Sequence, residues 1–201
     1  YTIVMGAPGS HSTAASLYAK LGFDPVKDFA PIVHVANVPN SVVVHPSMPV
    51  KSVPELIAYA KSKPGEVAFG SAGTGATTHL TGELFALETG AKLTHVPYKG
   101  SSQAMVDLLG GQIPMMFENL PGAAPHVRAG KLRLLAVTSL KRSPAFADTP
   151  AVSETIPGFE VVAWFALFAP AGTPAAIVQR MNAESDRILH QADVREKIAQ
   201  A

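Results

Sequence analysis

The spacing of apolar and polar positions changes abruptly in the stretch VAFGSAGTGATTHLTGELFALETG, residues 67–90. The apolar run at 67–69 predicts a buried strand, and the residues that follow it are small and rich in glycine. From Ala76 the apolar positions recur at helical spacing until Gly90. We therefore predict a strand, a glycine-rich loop over residues 70–75 and the start of a helix.

This loop has the chemistry of an anion site. The first N–H groups of a helix have no partner inside the helix, and the helix dipole places about half a positive charge at that end. Ser71, Thr74, Thr77 and Thr78 add hydroxyl donors, whereas residues 70–78 contain no lysine or arginine. We predict that the loop holds an anionic group of a small ligand. The alternative is that its glycines only form a tight turn.

Better-known glycine motifs are incomplete in this loop. A P-loop needs lysine where Ala76 stands, and the dinucleotide pattern G-x-G-x-x-G has Thr78 in place of its third glycine. No G-x-S-x-G elbow occurs in the chain, which argues against an α/β-hydrolase. A cofactor-using enzyme on a doubly wound α/β fold remains the alternative function.

Strand and helix patterns alternate along almost the whole chain, which predicts parallel sheets with helical crossovers. Ligands of such sheets bind beyond the carboxyl ends of the strands. Three loops follow predicted strands, at residues 70–75, 97–101 and 118–122. We expect these loops to converge on one edge.

Two apolar strands, at residues 42–45 and 160–169, flank the block that carries the three loops. A separate strand is predicted at 31–35 and a weakly structured connector at 143–158. The chain should therefore divide into two lobes, namely residues 1–43 with 159–201, and residues 44–158.

Composition narrows the class of protein. Hydrophobic residues make up 47% and charged residues 15%, which indicates a compact chain. The formal charge is +1 without a basic run, so we expect no nucleic-acid partner. Cysteine is absent from the sequence, which excludes disulfides and thiolate sites. No apolar run approaches the roughly 18 residues that span a bilayer.

Titratable groups in the loops are few, which favours binding over catalysis. His79 and Glu83 share a helix face, but no second metal ligand is identifiable, so we predict a structural histidine and no metal site. Glu118 and Asn119 follow a strand and could meet a ligand or cap an ordinary turn. Lys99 is either a counter-ion or a solvated chain end. We predict no catalytic residue and no cofactor.

Four collinear stretches closely resemble the Bug-type (TctC-like) receptors of tripartite tricarboxylate transporters, and the resemblance covers practically the whole chain. They are GSAGTGATTHLTGELF (70–85), HVPYKGSSQAMVDLLGGQI (95–113), FENLPGAAPHVRAGKLRLLAVTS (117–139) and GFEVVAWFALFAPAGTP (158–174). The resemblance implies a type II periplasmic-binding-protein fold, in which two α/β lobes joined by crossing strands close on a ligand in the cleft between them.

The function implied by the resemblance is that of a periplasmic solute-binding protein without enzymatic activity. Such receptors take small carboxylates, namely di- and tricarboxylates, acidic amino acids or aromatic acids. The expected partners are this ligand and the membrane components of the transporter, and we expect a monomer.

The resemblance also implies roles for individual residues. The glycine-rich loop would hold one carboxylate through backbone N–H groups, hydroxyls and ordered waters. The second loop would line the second lobe, and the third would face the distal end of the ligand. The residues concerned are Ser71, Ala72, Thr74, Gly75 and Thr78, then Tyr98, Gly100 and Ser101, then Glu118 and Asn119. The family usually has aspartate before that asparagine, so Glu118 is a longer acid than usual.

Two segments of the family pattern are missing. The family begins with a further strand and a glycine-rich loop ending in an aspartate, which forms the other half of the carboxylate site, and its last helix is longer. Neither segment is present before Tyr1 or after Ala201. We therefore expect a chain truncated at both ends, which binds its carboxylate weakly and stays open.

Overall fold

The computed structural model describes residues 2–200, and the side chains of residues 2–198. Tyr1 and Ala201, with which the first expected lobe begins and ends, lie outside the described residues. The strands are β1 (Val4–Gly6), β2 (Phe29–Val44), β3 (Val67–Ser71), β4 (Leu93–Pro97), β5 (Met115–Asn119), β6 (Arg133–Val137) and β7 (Val162–Pro170). The helices are α1 (Ala14–Leu17), α2 (Val53–Ser62), α3 (Thr77–Thr89), α4 (Ser101–Leu109), α5 (Leu120–Arg128), α6 (Ala175–Leu189) and α7 (Ala192–Gln200).

Contacts divide the chain into two compact units, which are unit 1 (Tyr1–Val38 with Ala163–Ala201) and unit 2 (Pro39–Val162). The sequence placed these boundaries a few residues away, after residues 43 and 158. Both observed boundaries fall inside a strand, β2 and β7. Because a strand keeps its side-chain period across such a point, periodicity does not mark where one unit gives way to the other.

The sheet of unit 2 has the strand order β6-β2-β5-β3-β4. Its strands β5, β3 and β4 are parallel neighbours, whereas β2 runs antiparallel to both β5 and β6. The predicted parallel arrangement with helical crossovers is confirmed for β3, β4 and β5. The antiparallel direction of β2 was not predicted, because a sequence pattern does not show the direction in which strands pair.

Both faces of this sheet are covered by core side chains. Successive residues of one strand point to opposite faces, and Val42 and Val44 accordingly pack in one cluster while Val43 packs in another. The first cluster includes Leu56 of α2 and Phe85 of α3, and the second consists largely of residues from α4, α5 and β5. Burial on both faces explains why the strands are continuous apolar runs.

Unit 1 joins residues from two distant parts of the chain. Strand β1 pairs antiparallel with β7, and the strand order is β1-β7-β2. The His11 ring stacks on Phe168 with ring centroids 4.4 Å apart, and Asn182 of α6 donates to the Ile32 carbonyl oxygen at 2.6 Å. A π-helical turn over Gly9–Thr13 precedes α1.

Three predicted elements differ in extent. The strands expected at 31–35 and 42–45 form one strand, β2, although Pro39 lies within it. The connector at 143–158 contains two 3₁₀ turns, Pro144–Phe146 and Val152–Glu154. A bidentate ion pair of Arg142 with Glu154, at 2.8 and 2.7 Å, orders the second of these. A proline breaks a propensity pattern without preventing extended backbone, which explains the first difference.

Candidate ligand-binding site

The three loops that follow β3, β4 and β5 lie at one edge of the unit 2 sheet. These strands are parallel neighbours, so their carboxyl ends share an edge. The Tyr98 backbone N–H donates to the Ser71 carbonyl oxygen at 3.3 Å, which joins the second loop to the first. The convergence expected from the sequence is confirmed.

The glycine-rich loop is shaped by hydrogen bonds to its own side chains. Gly73 and Gly75 have φ angles of 126° and 84°, which L side chains rarely adopt. The Ala72 N–H donates to Thr78 Oγ1 at 3.0 Å, and the Gly73 N–H donates to Ser71 Oγ at 3.1 Å. These two N–H groups are used in hydrogen bonds that stabilise the turn itself.

Helix α3 begins directly after the loop, as the sequence predicted. Ala76 occupies the N-cap position of α3, and its side chain makes no capping hydrogen bond. The N–H groups of the first turn therefore lack partners inside the helix, and the dipole adds partial positive charge there. Thr74 is exposed in the middle of the loop. An anion approaching this point would meet Thr74 and the first turn of α3.

Two histidines contact the loop from different elements. His79 lies in the first turn of α3 and His95 in β4, and their rings stack with centroids 4.0 Å apart. His79 Nδ1 accepts the Gly75 N–H at 3.1 Å, and His95 Nε2 lies 2.6 Å from Ser71 Oγ. Burial, reinforced by the neighbouring His79, lowers the pKa of His95 to about 4, so its ring is neutral at pH 7.

In the second loop, the side chain of Tyr98 is hydrogen-bonded to Asp107 of α4. Its hydroxyl donates to Asp107 Oδ2 at 2.7 Å, and burial together with this carboxylate raises the pKa of Tyr98 to about 12. Gly100 has a φ of 152° and immediately precedes α4, which begins at Ser101. Lys99 is exposed.

Glu118, in the third loop, is a buried acid with 3% of its surface exposed. Burial raises the pKa of Glu118 to about 7, although hydrogen bonds from the Ser101 side chain and the Asn119 backbone N–H act in the opposite direction. Its Oε2 has no hydrogen-bond partner in the part of the chain that the structure describes. A Cβ at Gly122 would lie 2.8 Å from Glu118 Oε1, so glycine there makes room for the longer acid.

A cavity of about 310 Å³ opens beside Glu118, between α4 and α5. Its walls are apolar on the α4 side, with Met105, Val106 and Leu109, and His126 lines the α5 side. The structure thus brings Glu118 and Ser101 together. The residues that line this cavity come from α4, β5 and α5 and not from the glycine-rich loop.

Asn40 lies at the same edge and was missed by the sequence analysis. It is opposite Asn119 in the register of β2 and β5, and neither side-chain oxygen has a hydrogen-bond partner among the described residues. Asn40 Nδ2 donates to Thr81 Oγ1 at 2.6 Å, which fixes its orientation. The sequence pointed to loops that follow strands, whereas Asn40 lies within β2, which is antiparallel to β5 and continues past this edge.

Thr78→Val should lower the free energy of unfolding by about 1–3 kcal/mol, because it leaves the Ala72 N–H without its acceptor. Thr78 is 1% exposed, so water cannot replace the hydroxyl freely. Thr78→Ser keeps the acceptor and should lose less. Urea denaturation of both variants measures the difference, and equal losses would show that this hydrogen bond contributes nothing.

The comparisons with known proteins place the chain in a family. A family model described as "Tripartite tricarboxylate transporter family receptor" matches residues 1–201. The chain belongs to this family. BugT of Bordetella pertussis is 37% identical over 201 residues, which cover 99% of this chain and 62% of BugT. The chain therefore spans less than two thirds of the length of that relative.

Solved structures of similar proteins share the fold of this family member. A protein of R. palustris solved with adipate has a TM-score of 0.97 and 40% identity, and the match covers 100% of this chain and 67% of that one. MatC from Rhodopseudomonas palustris with bound malate has a TM-score of 0.91 and 32% identity, covering 98% and 68%. The receptor chain has the α/β fold of periplasmic binding proteins, as predicted. Within residues 2–200, none of its helices combines the length and apolar character that crossing a bilayer requires.

Proposed function

We propose that this receptor-family chain captures a small organic carboxylate outside the cytoplasm, in the periplasm, for a tripartite tricarboxylate transporter. The observation that carries the proposal is the loop between β3 and α3, which offers helix N–H groups and hydroxyls to an anion without a lysine or arginine. The adipate and malate in the related structures support a carboxylate as the ligand class.

In this proposal the protein is a monomeric receptor that catalyses no reaction, and its partners are the carboxylate and the membrane components of the transporter. Thr78 occupies the position of the third glycine in the dinucleotide pattern, and its side chain is buried and bonded to Ala72. That bond weakens the alternative of a dinucleotide-dependent enzyme. The ten ligand contacts and the closure of two lobes on the ligand stay predictions.

Adipate or malate should raise the melting temperature of this chain. At a ligand concentration of about 100 times Kd, binding stabilises the native state by about 2.7 kcal/mol, or about 5–10 °C for a chain of this size. A thermal-shift series with both acids, their dimethyl esters, NADH and ATP is the measurement. The esters should have no effect, because they lack the charge that the helix start attracts.

Lys99→Ala is the matched control, because Lys99 is an exposed cation beside the same loops. The variant should keep the full shift with the acids. Loss of the shift in Lys99→Ala would show that a side-chain cation, and not the loop, holds the carboxylate. A shift with NADH or ATP but with neither acid would contradict the proposed function.

A further inference from the structure

His79 and His95 each use one ring nitrogen in a hydrogen bond to the glycine-rich loop. His79 accepts the Gly75 N–H on Nδ1 at 3.1 Å, and His95 Nε2 pairs with Ser71 Oγ at 2.6 Å. Ser71 Oγ in turn accepts the Gly73 N–H at 3.1 Å. The two rings therefore determine the direction of backbone groups at both ends of the loop.

Both rings are held in place by packing. His95 stacks between His79, at 4.0 Å between centroids, and Phe69, at 5.0 Å, with interplanar angles of 27° in both contacts. His79 Nε2 lies 3.5 Å from Glu83 Oε1, one helical turn further along α3. Since Nδ1 of His79 is an acceptor, its ring proton is on Nε2 and faces this carboxylate. Rings packed in this way leave the loop little freedom to turn.

The inward bonds also decide which donors remain for a ligand. The N–H groups of Ala72, Gly73 and Gly75 bond to side chains of the fold, and the Ala76 N–H donates to the Gly73 carbonyl oxygen at 3.1 Å. Thr74 and the first turn of α3 are left to present N–H groups outward. The orientation of the loop is thus a condition for its use as an anion site.

We propose that His79 and His95 are positioning residues of the ligand loop, whose rings hold Gly75 and Ser71 inward so that Thr74 and the start of α3 face the ligand. This inference rests on the proposed function for its effect on binding, but the hydrogen bonds can be measured without any ligand.

The same cluster has the composition of a metal site, because His79, Glu83 and His95 offer three atoms within 4.8 Å of one another. One feature favours the loop as its role. His79 Nδ1 and His95 Nε2 are already bonded to Gly75 and Ser71, so a metal could use only the other nitrogen of each ring.

Asparagine and glutamine distinguish the two nitrogens of a histidine. The amide of asparagine lies close to the position of Nδ1, whereas that of glutamine reaches the position of Nε2. At position 79, His79→Asn therefore keeps an acceptor for the Gly75 N–H and His79→Gln removes it. At position 95 the order is reversed, because His95→Gln keeps a partner for Ser71 and His95→Asn does not.

Amide hydrogen exchange measured by NMR on the ligand-free chain tests the hydrogen bonds directly. The Gly75 amide should exchange about tenfold faster in His79→Gln than in His79→Asn or the unmodified chain, and the Gly73 amide should do so in His95→Asn but not in His95→Gln. Ser71→Ala should reproduce the Gly73 effect, and adding it to His95→Asn should cause no further acceleration. This variant keeps both rings, so it tests the second bond even where a histidine variant folds poorly.

Binding of adipate and malate is the second measurement. Kd should rise about tenfold in His79→Gln and His95→Asn and stay within about twofold in their partners. Equal behaviour of the asparagine and glutamine variants at each position would overturn the proposal and reduce the rings to packing. A Gly75 amide signal that moves on adding EDTA or zinc would overturn it in favour of a metal site. If neither acid binds the unmodified chain, the proposed function fails while the exchange rates still decide the role of the histidines.

Discussion

Replacing Phe117 with alanine is expected to lower the free energy of unfolding by about 3–5 kcal/mol. Phe117 is fully buried in β5, and its ring lies 5.5 Å from that of Phe69 and 5.7 Å from that of Phe85, centroid to centroid. The variant loses the transfer free energy of the ring and leaves a cavity between the sheet and α3. Urea denaturation should show a lower midpoint at an unchanged slope.

Leu87→Ala is a suitable control for this loss. Leu87 is 77% exposed on α3, so its truncation should change the free energy of unfolding by no more than about 0.5 kcal/mol. A loss below about 1 kcal/mol in Phe117→Ala would mean that the surrounding rings collapse into the space. The packing is also close at Gly82, where an added Cβ would clash with the Phe69 ring.

Glu118→Gln should stabilise the protein more at pH 8 than at pH 5, by about 2–3 kcal/mol. Burial raises the pKa of Glu118 to about 7 in the folded state, against 4.5 for the free side chain. Between these values the unfolded chain is ionised while the folded chain keeps its proton. Stability from Glu118 is therefore fully present below about pH 4.5 and is lost as pH rises through 7. Glutamine has no such proton, and urea denaturation at both pH values measures the change.

Comparing each variant with the unmodified chain removes the contribution of other groups. The lowered pKa of His95 acts in the opposite direction, because stability from the neutral ring is present above about pH 6.5 and is lost as pH falls toward 4. That contribution is common to both proteins and cancels in the difference. Glu88→Gln, which removes an exposed acid of α3, is the control variant. A pH-independent difference for Glu118→Gln would mean that its carboxyl is ionised in the folded protein throughout this range.

The glycine-rich loop was the part of the site that the sequence revealed best. Its strand, turn and helix are local, and each leaves a periodic or glycine signal within 24 residues, so β3 and α3 lie where the pattern predicts. The convergence of the three loops also followed, because parallel strands with helical crossovers bring their carboxyl ends to one edge.

Contacts between residues far apart in the sequence could not be predicted from the sequence pattern. His95 lies on β4 and stacks on His79 of α3, and the pattern of neither element records this pairing. Asn40 reaches the site edge because β2 is antiparallel to β5, a direction that periodicity does not contain. The direction in which the loop N–H groups point could not be predicted from the sequence either. It depends on bonds from Gly75 to His79 and from Ala72 to Thr78, which the residue types allow but do not dictate.

The division into units has a consequence for how the chain acquires its structure during synthesis. Unit 2 is one uninterrupted stretch, whereas unit 1 is made from two stretches that the whole of unit 2 separates. A ribosome therefore synthesises residues 39–161 of unit 2 before it begins β7, the strand with which β1 pairs. Since compact units fold as they emerge, unit 2 can complete its sheet before β1 pairs with β7. Assembly thus proceeds from the middle of the chain outward.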